Sequence, residues 1–392
     1  MSTIAVPAAD HDGHHVTAGA DGHRVTVGTD NHRVTAGADS HRVTAGADSH
    51  RVTVGTDNHR VTAGADSHRV TAGADSHRVT AGADSHRVTA GADDGTPLAV
   101  RVFGPPTAPL TVVFVHGHCL RAESWFYLLA QLRQRWNGRI RMVCYDHRGH
   151  GESGSADPAT YTIEQLGYDL DAVLRTTAPT GPVVLVGHSM GAMVVLGYAR
   201  LFPAAIGTRI AGIGLIAGAA GGLTSVGVAR FLRRRAVTSL RVAVHRAPRV
   251  MQASKRLSHR IFEPIVREAS FGTRRVSPRM AAVATAMLNE TPLATMAGFL
   301  DSLIRFDETA SLRLLADLPA LVLAGSADVM VPFAHSVVLA SQLGGAELVR
   351  VDGAGHSVIL ERAEEVAAAI AALVERVVDE PGSRPEAYAV AG

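Results

Sequence analysis

Between residues 86 and 378 the chain alternates short apolar runs with longer amphipathic stretches. The runs cover residues 110–115, 140–145, 182–186, 210–217, 321–324 and 348–351. They are short and rich in β-branched residues, which reads as buried strands. The stretches at 123–136, 162–176, 192–200, 333–343 and 361–378 have the length and apolar content of helices. Thr162 and Gln165 suit a capped helix start. Ahead of these, residues 86–90, the turn Asp93-Asp94-Gly95 and residues 98–102 read as strand, turn, strand. Alternation of this kind predicts an α/β class fold, a mainly parallel sheet flanked by helices on both faces.

The first 85 residues follow another rule. From His14 onward a nine-residue unit, His-Arg-Val-Thr-Ala-Gly-Ala-Asp-Ser, recurs with His23, His32, His41, His50, His59, His68, His77 and His86 opening successive copies. The variant Val-Gly-Thr-Asp-Asn stands at 27–31 and again at 54–58, the mark of a duplicated block. A nonapeptide could build a parallel solenoid or calcium-binding β-roll, but the glycine pair is missing and His41 falls where an aliphatic residue belongs. Evenly spaced histidines could also bind metal weakly by avidity. With one valine in most units there is little to bury, so residues 1–85 are read as a low-complexity, largely disordered extension. The folded domain is expected to start near His86, the upstream copies being replicas of its first strand. Residues 381–392 are read as a disordered tail.

Composition adds limits. A chain of 392 residues, 46% hydrophobic with a formal charge of +2, accommodates one large domain or two ordinary ones, and nothing in it calls for a nucleic acid partner. Lys255 is the only lysine, so the positive charge is almost wholly arginine. The apolar stretch 210–228 is broken by six glycines and reads as strand plus loop, not a membrane span. No N-terminal signal segment is apparent, and two cysteines, Cys119 and Cys144, read as reduced thiols of a cytoplasmic protein.

Ligands on parallel sheets bind beyond the carboxyl ends of the strands. There the chain places His116-Gly117-His118-Cys119, Asp146-His147-Arg148-Gly149-His150-Gly151, Gly187-His188-Ser189-Met190-Gly191, Gly325-Ser326-Ala327-Asp328 and Asp352-Gly353-Ala354-Gly355-His356. Gly-x-Ser-x-Gly between an apolar strand and a helix is a nucleophile elbow, with Ser189 held proud of the sheet edge. A serine hydroxyl needs a base and the base an orienter, and serine, aspartate and histidine follow one another at strand ends. His356 is the candidate base; Asp328 and Asp352 compete as orienter. His116, His118, His147 and His150 fall on adjacent loops, but without the spacing of a zinc site, so no metal is expected.

These motifs resemble the serine esterases and lipases of the α/β-hydrolase superfamily over residues 86–378, and are similar to lysophospholipase-like hydrolases of actinobacterial type. The resemblance selects Asp328, because Val331-Pro332 completes the family's aspartate-x-x-x-proline pattern. It implies an oxyanion hole at the backbone N–H groups of His118 and Met190. His118 departs from the large aromatic or aliphatic residue of the pattern, and its side chain is read as a surface histidine. His116, Gly117, Asp146, Arg148, Gly187 and Gly191 are implied as structural support, and no cofactor is called for.

Ser189 and Asp328 are 139 residues apart, more than a helix and two strands require. The resemblance divides the chain into a core at 86–221 and 309–380, with a helical cap at 222–308 inserted after the sixth strand. Between residues 227 and 280 the cap holds 14 Lys plus Arg against Glu263 and Glu268, with apolar residues interleaved. That suits a lid over an apolar pocket, or a surface drawn to anionic membrane. Family branches with an aspartate nucleophile are excluded by Ser189. The expected activity is hydrolysis of a small-molecule or lipid ester. Perhydrolase, C–C bond hydrolase and acyltransferase chemistry on the same triad, or a non-enzymatic binding protein using the repeat, are the alternatives.

Overall fold

A computed structural model describes residues 85–224, 237, 239, 242–244, 246–247, 270–273 and 278–379, and the backbone of short strands between residues 3 and 81. The chain divides into two compact units, Met1–His86 and Arg87–Gly392. Most of the basic stretch at 227–280, and the tail at 381–392, lie outside the described residues.

In the first unit, strands recur at the Arg-Val-Thr of successive copies, among them Arg24–Val27, Arg33–Ala36, Arg51–Val54 and Arg69–Ala72. Each pairs in parallel with the second copy along, Val34 against Val52 and Val52 against Val70, so alternate copies build two sheets. Val-Thr has strand propensity in every copy, and repetition places like residues in register on neighbouring strands.

The second unit is built on eight strands: β1 Ser85–Gly91, β2 Pro97–Phe103, β3 Thr111–Val115, β4 Arg141–Tyr145, β5 Val183–His188, β6 Ile210–Ile216, β7 Ala320–Gly325 and β8 Ala346–Val351. Their order is β1-β2-β4-β3-β5-β6-β7-β8. β2 runs antiparallel to β4, and from β4 to β8 all pairs are parallel. The helices are α1 Phe126–Trp136, α2 Ile163–Thr177, α3 Met190–Leu201, α4 Pro278–Glu290, α5 Leu293–Arg305, α6 Ala334–Ser341, α7 Val358–Glu361 and α8 Ala363–Asp379. Thr162 caps α2 by accepting from the Gln165 N–H at 3.1 Å.

Strand residues alternate between two cores. Val113, Val115 and Leu185 pack with Leu166, Leu170 and Val173 of α2 and Val194 and Leu196 of α3. Val112, Phe114, Val184 and Val186 face the other way, against Leu128 and Leu132 of α1 and Ile370, Leu373 and Val374 of α8. Burial on both faces explains why these strands are apolar throughout, each such side chain contributing about 1.5–3 kcal/mol. Helices α4 and α5 fall between β6 and β7, in the segment expected to form a cap. α5 is tied to the core where the Ile163 N–H donates to Ser302 Oγ at 3.0 Å. No helix of the described residues is long and apolar enough to cross a membrane.

Candidate active site

β5 ends at His188 and α3 begins at Met190, leaving Ser189 alone to make the turn at φ 55°, ψ −118°. That is the left-handed side of backbone space, which a serine occupies only under constraint. A Cβ on Gly191 would overlap the Val115 carbonyl, and one on Gly187 would overlap the Gly191 backbone, so both glycines are needed for this turn. Cys119 (φ 60°) and Ala217 (φ 49°), after β3 and β6 on either side, share the strain. Three strained non-glycine residues thus gather where the central strands end.

His356 lies between the other two candidates. Its Nε2 is 2.8 Å from Ser189 Oγ and its Nδ1 is 2.8 Å from Asp328 Oδ2. Asp328 Oδ1 accepts from the N–H groups of Met330 and Val331 at 2.9 and 2.8 Å, which leaves Oδ2 to the imidazole. Asp352, the rival acid, has a side chain 79% exposed and pairs with Arg350. The loops after β7 and β8 are laced together: the Ala327 N–H donates to Ala354 O at 2.9 Å, and the Gly353 N–H to Ser326 Oγ at 2.8 Å. Burial by itself would lower the His356 pKa, but the charge and hydrogen bond of Asp328 outweigh it and hold the imidazole above its ordinary value.

A Cβ on Gly117 would stand 3.1 Å from Ser189 Cβ, so the loop after β3 runs alongside the serine. Among the described hydrogen bonds, none engages the N–H of His118 or of Met190. Met190 opens α3, where N–H groups lack intrahelical acceptors. The His118 side chain, expected at the surface, is half-buried. It bonds the Met296 backbone and lies edge-on to Phe299 at 6.5 Å, both in α5, and burial pushes its pKa down to about 4.

The remaining histidines are occupied by the backbone. His116 Nε2 accepts from the His147 N–H at 2.9 Å, and His147 Nε2 donates to His116 O at 3.0 Å. His150 Nε2 accepts from the Cys119 N–H at 3.3 Å. Burial lowers His116 to about 3, and takes His147 and His150 well below the ordinary histidine value. Among the described residues, no group of three or more His, Cys, Asp or Glu is arranged to hold a metal ion.

Asp146 accepts from the N–H groups of Ala122 and Glu152 at 2.7 and 2.8 Å, joining the loops after β3 and β4. Arg148, fully buried, grips Asp169 of α2 through two bonds of 2.6 Å and reaches Asp94 at 2.7 Å. Sequence reasoning missed three of the supporting groups. Asp94 and Asp169 carry no motif. His188, inside the elbow, bonds the His356 carbonyl through Nε2 at 2.9 Å; its only signal is its place beside Ser189.

Residues 112–369 match the alpha/beta hydrolase family. The chain belongs to that family. Proline iminopeptidase PfmaB of Pestalotiopsis fici is 25% identical over 299 residues, 72% of this chain and 98% of that protein. A monoacylglycerol lipase of Mycolicibacterium smegmatis is 30% identical over 239 residues, 57% of this chain and 80% of the lipase. A thermophilic esterase from Thermogutta terrifontis superposes with a TM-score of 0.60 at 25% identity, covering 74% of this chain and 99% of the esterase. In this hydrolase the His356 ring stands between the Ser189 hydroxyl and the Asp328 carboxylate.

Proposed function

We propose that the chain is a serine hydrolase cleaving carboxylic esters of hydrophobic, lipid-like acyl groups through an acyl-enzyme. The observation that carries this reading is the His356 ring, within 2.8 Å of Ser189 on one side and of Asp328 on the other. Ser189 Oγ attacks the ester carbonyl while His356 Nε2 takes its proton. The carbonyl electron pair moves onto oxygen, stabilised by the N–H groups of His118 and Met190. The C–O bond to the alcohol then breaks, His356 returning the proton to the leaving oxygen. Water, deprotonated by the same nitrogen, attacks the acyl-serine, and its collapse restores Ser189. Asp328 fixes the imidazole tautomer and stabilises its protonated form. Asp146 and Arg148 brace the loops without touching the reacting atoms.

Ester chemistry is favoured by the likeness to a monoacylglycerol lipase and to an esterase. A lipid-like substrate is favoured by the apolar residues interleaved with arginine in the cap sequence, which would also draw the protein to anionic membrane. Amide cleavage is the second reading, from the longer likeness to a proline iminopeptidase. A p-nitrophenyl ester series from acetyl to palmitoyl, with and without anionic vesicles, separates them when run beside prolyl p-nitroanilide. Ester turnover improving with chain length, and vesicle binding weakened by salt, is the expected result. Preference for the prolyl amide would move the assignment to a peptidase.

A further inference from the structure

Glu361 ends α7, five residues after His356, and no motif singles it out. Its carboxylate accepts two backbone N–H groups from distant parts of the chain. Oε1 takes that of Gly355 at 2.9 Å, the residue before His356, and Oε2 takes that of Gly272 at 3.0 Å, inside the cap insertion. Around this carboxylate the two backbones run against each other. The Thr273 N–H donates to Gly353 O at 3.0 Å, and the Ser357 N–H to Ser270 O at 2.8 Å. A Cβ on Gly272 would overlap the Gly353 carbonyl, so the approach requires glycine.

The geometry points to Glu361 as a positioning residue: its carboxylate fixes cap residues 270–273 and the His356 loop to each other, so that seating the cap sets the position of the histidine. This rests on the reading of His356 as the base. A carboxylate suits the task because each oxygen can accept one N–H. A glutamine offers one acceptor and would turn its own N–H₂ toward the other amide. Glu361 also faces the site electrostatically. Burial raises its pKa while the two N–H groups and Arg362 oppose that rise, and as an anion it adds to Asp328 in favouring protonated His356. The groups facing it are Arg362, Glu364 and Glu365 near its own element, Tyr127 of α1 across a cavity of about 330 Å³, and Asp328 beyond the loop; His356 is faced in addition by His188.

The test combines amide hydrogen exchange with the rate at which a fluorophosphonate labels Ser189, both followed against pH. In Glu361→Gln, exchange at Gly272 and Gly355 should rise, and labelling should slow, by at least about 10-fold, the scale of a lost charge-assisted bond. The acid limb of labelling should move to lower pH, because a negative charge near His356 is gone; a residue that only packs would leave that limb in place. Gly272→Ala, which breaks the contact from the cap side, should slow labelling as well, and Glu364→Gln should match the wild type. Wild-type exchange at both glycines in Glu361→Gln, or loosened glycines with an unchanged labelling rate and acid limb, would overturn the proposal. If Glu361→Gln does not fold, exchange in the wild-type protein decides. The proposal expects both amides to lose protection together as Glu361 is protonated, and separate losses contradict it. Should wild-type Ser189 fail to label, the nucleophile reading falls, while exchange at the two glycines still judges the latch.

Discussion

Ser189 sits at φ 55° in a conformation that costs a non-glycine residue on the order of 1–3 kcal/mol, and the fold sustains it by leaving no side chain at Gly187 or Gly191. The result is a hydroxyl within 2.8 Å of an imidazole whose pKa is raised. Below that pKa the ring already carries the proton it must accept. The rate of Ser189 acylation is therefore expected to fall on the acid side with an apparent pKa above 6.5, as read from labelling rates between pH 5 and 9. An acid limb below 6.5 would contradict the Asp328 contribution. Ser189 and His356 are legible in the sequence because each follows an apolar strand run and the elbow has its own spacing, whereas Asp352 also follows a strand and only the family pattern separates Asp328 from it. Glu361 is not legible, since nothing in a sequence marks a carboxylate that accepts from the backbone of two remote loops. The contacts of His118 are not legible for a related reason: α5, which partly covers it through Met296 and Phe299, lies almost 180 residues downstream.

At the scale of elements, the strands are readable from their apolar content, with ends displaced by a residue or two, as for β8, which begins at Ala346 where the apolar run begins at Leu348. This last strand is the sheet edge, and its half-exposed pattern weakens the signal. The aspartate-x-arginine-glycine loop after β4 is readable as a motif, whereas its partners are visible only in three dimensions. Arg148 joins the turn after β1 to α2 through Asp94 and Asp169. Asp169 has no exposed side-chain surface, so Arg148→Met leaves a buried carboxylate without its cation and with only the 3.4 Å bond from Gln165 Nε2. The expected loss is about 3–5 kcal/mol, read from the shift in urea midpoint, with any remaining folded protein still labelling at Ser189. A shift of less than about 1 kcal/mol, the range of a surface pair, would show that Arg148 is not a brace.

Across the whole molecule, the division after His86 falls two residues into β1, and the hydrolase unit holds its own sheet. A chain beginning at residue 84 should melt and label as the full chain does; loss of either would give the repeat a part in the fold. The start of the domain is legible in the last repeat because strand, turn and strand follow one another there. Pairing between alternate copies is not, because register is a relation between distant strands. The buried histidines set the pH range of the molecule. His116, His147, His150 and His188 are held neutral by burial, so the unfolded chain binds more protons than the folded one once pH drops below the ordinary histidine value. Each contributes a slope of up to about 1.4 kcal/mol per pH unit, lost stability on acidification. His118 and His335, also lowered by burial, act in the same sense, and His356, with its raised pKa, acts in the opposite sense as one group against six. Urea midpoints should fall steadily from pH 6.5 to 5, above the range where most carboxylates titrate; a flat profile would contradict neutral burial.

Active-site labelling asks directly whether Ser189 is an activated nucleophile. A fluorophosphonate should modify the wild-type chain at Ser189, located by peptide mass, and Ser189→Ala should lose both the label and p-nitrophenyl ester hydrolysis. Label on another residue, or labelling and hydrolysis undiminished in Ser189→Ala, would contradict it.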